Sequence, residues 1–241
     1  MNPYAERTYS EITDIRDQKK LDLLDKVIPN DVKTIIDIGC GNGLITNVLN
    51  KKYQVLGVDI NASKLEYVEA PTLQSSCDKI DREDGDFDMV FSSEMLEHLP
   101  EDLYKRTLVE FERLAKKYIL ITVPYRESLE KLVVKCNSCG KNYHKNGHLR
   151  SFNEKTLAGA FSNFRIKELT TFGNGIRSYP DWLAEAKHNY VPPSGWIPGY
   201  WVKTMGVPYH FCIYCGAKNP LSPKFSPLGF LLDGFNSIFS P

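Results

Sequence analysis

At 241 residues the chain is long enough for one sizeable α/β core with an appended small module, and too short for three independent domains. Its 30 Lys and Arg equal its 30 Asp and Glu and form no long basic run, so a nucleic-acid partner is disfavoured, although a local basic groove stays open. The opening MNPYAERTYSEITDIRDQKK lacks the apolar centre of a secretory signal, and PLGFLLDGFNSIF is too short and interrupted to cross about 30 Å of hydrocarbon, so a cytoplasmic protein is expected.

From Glu11 to Ile28 apolar residues recur at helical spacing, and Pro29-Asn30 supplies a stop. The β-branched run TIIDIG then meets the glycine cluster GCGNG, followed by the helical pattern LITNVLNKK. The alternation continues as strand YQVLGVDI, helix NASKLEYVEA, strand FDMVFSS, helix EDLYKRTLVEFERLAKK and strand YILITVP. Strands separated by helices predict an α/β fold with a parallel, doubly wound sheet and helices on both faces. Beyond Pro124 a Cys- and His-containing segment intervenes before SFNEKTLAGAF, read as a helix, and FRIKELTTF, read as a strand. Residues 175–241, rich in Pro, Gly, Trp and Tyr, read as irregular structure packed on the core. The domain reading is therefore 1–29 as an N-terminal helix region, 30–174 as the core with an insertion at 130–150, and 175–241 as a C-terminal region.

The most specific motif is Asp37-Ile38-Gly39-Cys40-Gly41-Asn42-Gly43, set between a predicted strand and a predicted helix. Glycines permit a tight turn and let backbone amides approach a ligand. A dinucleotide site would place glycine three residues after Gly41, where Leu44 stands, so a cofactor without pyrophosphate is favoured. Asp59, at the end of the second predicted strand, can accept both hydroxyls of a ribose, which implies adenosine.

In this order DIGCGNG, VDI and FDMVFSSEMLEHL resemble the motif series of class I S-adenosylmethionine-dependent methyltransferases, over about residues 30–170. The resemblance implies that Gly39, Gly41 and Gly43, with Cys40 among them, surround the methionine part of S-adenosylmethionine. Asp59, with Ile60 beside it, would hold the ribose, and Asp37 would orient the glycine loop or meet the amino group. The end of a third strand, near Ser76, Cys77 and Asp78, would flank adenine. It also implies that the N-terminal segment with Tyr4, Arg7 and Tyr9 folds over the cleft as a lid.

Cys136-Asn137-Ser138-Cys139-Gly140 and Cys212-Ile213-Tyr214-Cys215-Gly216 are two matching CxxCG knuckles. Each places two thiolates on one tight turn, and together they complete a tetrahedral, structural Zn²⁺ shell that would join the insertion to the C-terminal region. Buried reduced cysteines or one disulfide are the alternative.

Glu94, Glu97 and His98 follow the fourth predicted strand, and on a helical start their spacing puts them on one face. With His148 downstream they could hold Mg²⁺ or Mn²⁺. The pattern is similar to the metal site of small-RNA 3′-end 2′-O-methyltransferases and to ubiquinone-pathway O-methyltransferases, which implies a metal that polarises an acceptor hydroxyl. A metal-free alternative makes His98 or His148 the catalytic general base. A structural reading instead leaves His98 as a hydrogen-bonding residue and His144 on the surface. Trp182, Trp196, Trp201, Tyr190 and Tyr200 could line an acceptor pocket or pack in the core. The apolar run from Phe225 to Phe239 could cover the core, join two subunits or rest on a membrane surface. The expected acceptor is a hydroxyl of a sugar, glycan or natural-product small molecule, with RNA ribose as runner-up and a non-catalytic cofactor-binding scaffold as the reading of another class.

Overall fold

The computed structural model of the chain describes residues 15–172, 180–196, 209–220 and 224–239. The described residues form two compact units, one from 15–125 with 152–172, the other from 126–151 with the described part of 174–239. The segment 126–151, which contains the expected insertion at 130–150, groups with the C-terminal region.

In the first unit α1 (Ile15–Val27), β1 (Thr34–Ile38), α2 (Thr46–Leu49), β2 (Gln54–Asp59), α3 (Ala62–Leu65), β3 (Thr72–Gln74), β4 (Phe87–Ser93), α4 (Glu101–Leu114), β5 (Ala115–Thr122) and α5 (Glu154–Ala158) follow in chain order. The strands form one parallel sheet in the order β3-β2-β1-β4-β5. The direction of winding reverses between β1 and β4, so the ligand crevice of such a sheet lies outside their carboxyl ends. Side chains alternate across the sheet. Ile36, Ile38, Val58 and Val90 pack with Leu108, Phe111 and Leu114 of α4, while Ile35, Val55, Met89 and Phe91 pack with Leu24 of α1 and Leu49 of α2. Both faces are covered, which is why β1 and β4 read as near-continuous apolar runs.

Several elements depart from the sequence reading. The helix expected over NASKLEYVEA stops at Leu65, because the Asn47 amide donates to the Tyr67 carbonyl at 3.1 Å and accepts from the Glu69 amide at 2.8 Å, holding 67–69 off the helix. β5 begins at Ala115, three residues before the predicted strand, directly from the last turn of α4. Strand β3 is three residues long, too short for its alternation to register. FRIKELTTF forms no strand, and its Ile166, Leu169 and Phe172 side chains are exposed, so no sheet face receives them.

The second unit holds two antiparallel hairpins, β6 (Val133–Lys135) with β7 (Asn142–His144) and β8 (Tyr209–Phe211) with β9 (Lys218–Pro220), and two helices, α6 (Asp181–Tyr190) and α7 (Pro227–Phe239). Among the described residues of the C-terminal region, the two helices and the β8–β9 hairpin are regular. Leu183 and Ala184 of α6 pack against Leu232 of α7, and Lys187 pairs with Asp233 at 2.5 Å. Trp196 is buried and its Nε1 donates to the Val191 carbonyl at 2.7 Å, so this side chain serves the core. Trp182 and Tyr190 are exposed; Trp201 and Tyr200 lie outside the described residues. Phe225, Phe230 and Leu231 are exposed, yet no helix among the described residues is long and apolar enough to cross a membrane.

Phe111 is wholly buried between α4 and the sheet. Phe111→Ala is expected to destabilise the first unit by about 3–5 kcal/mol. Val109→Ala, on the exposed face of the same helix, should change stability by less than about 0.5 kcal/mol in chemical denaturation.

Candidate active site

The chain leaves β1 through three glycines with positive φ: Gly39 at 81°, Gly41 at 56° and Gly43 at 79°. A Cβ on Gly39 would meet Met95 Cγ at 2.6 Å, and one on Gly43 would meet Asn47 and Val68 at 3.0 Å. At Gly41 nothing lies within 4 Å, so this residue is required by its backbone conformation and leaves open space beside the turn. The amides of Gly39 and Cys40 both donate to the Val58 carbonyl, at 2.8 and 3.0 Å, which fixes the turn to β2.

Asp59 ends β2 and closes the arrangement. Its Oδ2 accepts from the Gly41 amide and its Oδ1 from the Asn61 amide, each at 2.9 Å. Each carboxylate oxygen retains accepting capacity, as a pair of ribose hydroxyls needs. Asp37 lies beneath the turn and accepts from the Thr46 hydroxyl at 2.7 Å. Burial pushes its carboxyl up to about 7; the Thr46 hydrogen bond opposes the rise and the nearby Asp59 carboxylate adds to it. Asp37 therefore supports the glycine loop from below. Burial, reinforced by Asp37 and Asp59, likewise raises the Cys40 thiol, which stays protonated and unreactive.

Beside Asp59 stands Ile60, 72% exposed, an apolar side chain at the open edge of the sheet. The loop after β3 is held next to it, since Ser75 donates its amide to the Asp59 carbonyl at 3.2 Å and Gln74 Nε2 donates to the Ile60 carbonyl at 3.2 Å. In that loop Asp78 accepts from the Ser76 hydroxyl and, at 2.7 Å, from Arg106 Nε. Those two partners, Ser76 first, hold its carboxyl below the usual range. Cys77 Sγ lies 3.2 Å from the Thr107 hydroxyl, half-buried. The cofactor-facing residues expected from sequence thus gather at the carboxyl edge of β1, β2 and β3.

After β4 the picture is mixed. Glu94 adopts φ of 52° and stands outside the short 3₁₀ turn Leu96–His98, with its carboxylate on Lys20 at 3.2 Å and the Thr122 hydroxyl at 3.1 Å. It does not share the face expected for it. Glu97 is fully buried, and its Oε1 lies 3.9 Å from Nε2 of the 42% exposed His98. Tyr4, Arg7 and Tyr9, expected to form a lid, lie outside the described residues.

Residues 6–164, well over half of the chain, match the family described as methyltransferase domain. The chain belongs to the class I S-adenosylmethionine-dependent methyltransferases. Among similar proteins, the ubiquinone biosynthesis O-methyltransferase of Idiomarina loihiensis is 34% identical over 80 residues, covering 29% of this chain and 33% of that protein. Its counterpart in Ralstonia nicotianae is 29% identical over 94 residues, covering 34% and 39%. The aligned part spans between about a quarter and two fifths of the length of the curated relatives matched. The crystal structure of a SAM dependent methyltransferase from Archaeoglobus fulgidus aligns with a TM-score of 0.48 and 24% identity, covering 60% of this chain and 66% of that one.

The chain carries two further clusters in its second unit. The four knuckle sulfurs lie within 4.8 Å of one another, with Cys136–Cys215 at 3.6 Å and Cys139–Cys212 at 3.7 Å. Those separations are far beyond a disulfide and equal the edge of a tetrahedron whose centre is about 2.3 Å from each sulfur, the Zn–S distance. The residues therefore fit zinc. Gly140 and Gly216, at φ of 74° and 69°, let each knuckle close with a glycine amide donating to the carbonyl of its first cysteine. The amides of Cys139 and Ser138 point at Cys136 Sγ and, Cys139 first, bring its thiol down to about 6. Buried Asn219 turns its side-chain amide to Cys136 Sγ and the Tyr143 hydroxyl, and accepts the Asn137 amide.

His148 belongs to the second unit, where its Nδ1 lies 2.5 Å from Glu127 Oε2 and its ring stacks on His144. His144 is buried rather than superficial. Glu127 escaped the sequence reading because its partners stand 17 and 21 positions downstream, across a hairpin no local period announces.

The raised Asp37 carboxyl has a signed consequence. Its folded value exceeds its unfolded one, so the unfolded chain ionises first and stability falls as pH rises from about 4 to about 7, levelling above. Asp37→Asn is expected to flatten that slope and to melt above the parent at pH 8, read from thermal denaturation across that range.

Proposed function

We propose that the protein transfers the methyl group of S-adenosylmethionine to a hydroxyl of a sugar, glycan or natural-product small molecule. The observation that carries the cofactor half is the hydrogen bond from the Gly41 amide to Asp59, which makes the glycine turn and the ribose acceptor one rigid assembly. The reading is supported by the exposed Ile60, which offers an apolar face, and by Asp78 in the loop after β3, which offers a hydrogen-bond acceptor. In the reaction the acceptor oxygen attacks the methyl carbon in line with the departing sulfur; the C–S bond breaks, S-adenosylhomocysteine leaves, and the hydroxyl proton passes to a base. The protein supplies proximity and orientation.

An oxygen acceptor is supported by the presence of imidazole candidates, His98 and His148, for the proton. It is supported too by the similarity to two ubiquinone biosynthesis O-methyltransferases. RNA ribose is less favoured. It would draw Glu94, Glu97, His98 and His148 around one divalent ion, whereas Glu94 is held by Lys20 and Thr122, and equal numbers of acidic and basic residues provide no phosphate-tracking excess. We also propose that the four cysteines hold a structural zinc, a closed shell without a coordination position for substrate.

Incubating the chain with radiolabelled S-adenosylmethionine and fractionated extract should place label in hydroxyl-bearing small-molecule or glycan material; label in RNA would install the runner-up, and none despite cofactor binding would favour a scaffold. Asp59→Ala should abolish cofactor binding in a calorimetric titration, and unchanged affinity would sink the site. Protein purified without chelator should carry a single zinc per chain by elemental analysis. Cys139→Ser should lose that zinc and lower the melting temperature, since structural zinc supplies on the order of 10 kcal/mol of folding free energy.

A further inference from the structure

A cavity of about 450 Å³ lies within the second unit, between the β6–β7 hairpin and the end of α6, a volume in the range that small-molecule sites occupy. Register pairs Lys135 with Asn142 at the end of the hairpin, so both side chains leave it on one side. Val134 and Tyr143, one position inward, alternate to the other side and enter the buried cluster around the inner cysteines. Lys135 and Asn142 are exposed, and neither side chain has an ion pair or hydrogen bond among the described residues. The other wall is the last turn of α6 with His188, Asn189 and the 73% exposed Tyr190, backed by the buried Trp196, whose ring lies 4.7 Å from that of His188 between centroids.

This end of α6 is built to accept hydrogen bonds. Pro192 and Pro193 stand four residues after His188 and Asn189, where a helix would supply the N–H groups for those two carbonyls, and proline has none. The Val191 amide is already spent on the Lys187 carbonyl at 2.9 Å. Burial holds the His188 ring below the usual imidazole range, against the opposing effect of a hydrogen bond to the Glu130 backbone, so the ring is neutral near pH 7. Lys135 is then the one cation among the residues that line the cavity, and no carboxylate lines it. The lack of acids is regional: from Val133 to Ser151 and from Ala186 to Leu232 the chain carries neither Asp nor Glu, although acidic and basic residues are equal in number over the whole sequence.

We propose that this cavity binds a saccharide that bears one anionic group, a carboxylate or a phosphate. Lys135 and the Asn142 amide take the anion, the open carbonyls at the end of α6 accept protons from the sugar hydroxyls, and Tyr190 offers its ring to the apolar face of the sugar. A bare anion would leave the carbonyls unused, and a neutral sugar would leave Lys135 without a counter-charge. The site lies wholly in the second unit and does not depend on which acceptor takes the methyl group.

The test is saturation-transfer NMR on the full chain with S-adenosylhomocysteine present, using glucuronate, glucose 6-phosphate, glucose, acetate and uridine monophosphate as probes. At least one of the two acidic sugars should bind saturably and more tightly than glucose or acetate, and the tighter of the two identifies the anionic group as carboxylate or phosphate. Lys135→Gln should weaken that binding about tenfold, the size of a lost charge-assisted hydrogen bond, while Lys135→Arg retains it. Asn142→Ala should weaken it as well, and both changes fall on exposed side chains, so the melting temperature should stay at the parental value. Glucose binding as tightly as both acidic sugars overturns the role of the charge, and tighter binding of uridine monophosphate overturns the saccharide class. Saturable binding of neither acidic sugar, or affinity unchanged in both Lys135→Gln and Asn142→Ala, overturns the site.

Discussion

The first unit depends on how the chain gets out of β1. A parallel sheet obliges it to leave the carboxyl end of a buried strand and reverse within a few residues, above a carboxylate that the strand itself has buried. Positive φ at residues 39, 41 and 43 solves this, and each position answers to a different limit: contact with Met95 at the first, conformation alone at the second, and both backbone angle and the Asn47–Val68 wall at the third. Because both amides after Ile38 continue the ladder onto the Val58 carbonyl, the turn inherits the register of β1 on β2. Asp59 is placed by that same register. The glycine turn and Asp59 are thus an extension of sheet geometry, with little freedom of their own.

The second unit has no comparable sheet among its described residues. Its hairpins bury a small cluster around Leu132, Val134, Tyr143 and the two inner cysteines, too little apolar area to define so many turns by itself. The close approach of the four sulfurs, the amides aimed at Cys136 and the fully engaged Asn219 show where its order is concentrated. A metal in that position links folding to metal supply.

Legibility in the sequence followed the range of the determining contacts. The glycine turn and Asp59 were visible because they are local: a β-branched run, a glycine cluster and a carboxylate at a strand end are each written within a few residues. The knuckles were visible because CxxCG repeats itself. The short α3 was not, since Asn47 ends it from a different element, and FRIKELTTF satisfied a strand's alternation without a neighbouring strand to pair with. Spacing also misled at Glu94, where an assumed helical start set a face that the positive φ and Lys20 abolish. Glu127 had no local signature at all.

The two knuckles carry one more implication, for the order in which the molecule is made. Cys139 and Cys212, partners across the cluster, are 73 positions apart, and Cys136 and Cys215 are 79 apart. All five strands of the parallel sheet precede the second knuckle by many residues. On a ribosome that emits the chain from its N-terminus, the first unit can therefore collapse while the first knuckle is still a half-complete chelate, with only two sulfurs to offer. Closure of the loop between the knuckles is a late event, and the nascent chain passes through an interval in which a formed parallel sheet coexists with an open dithiol.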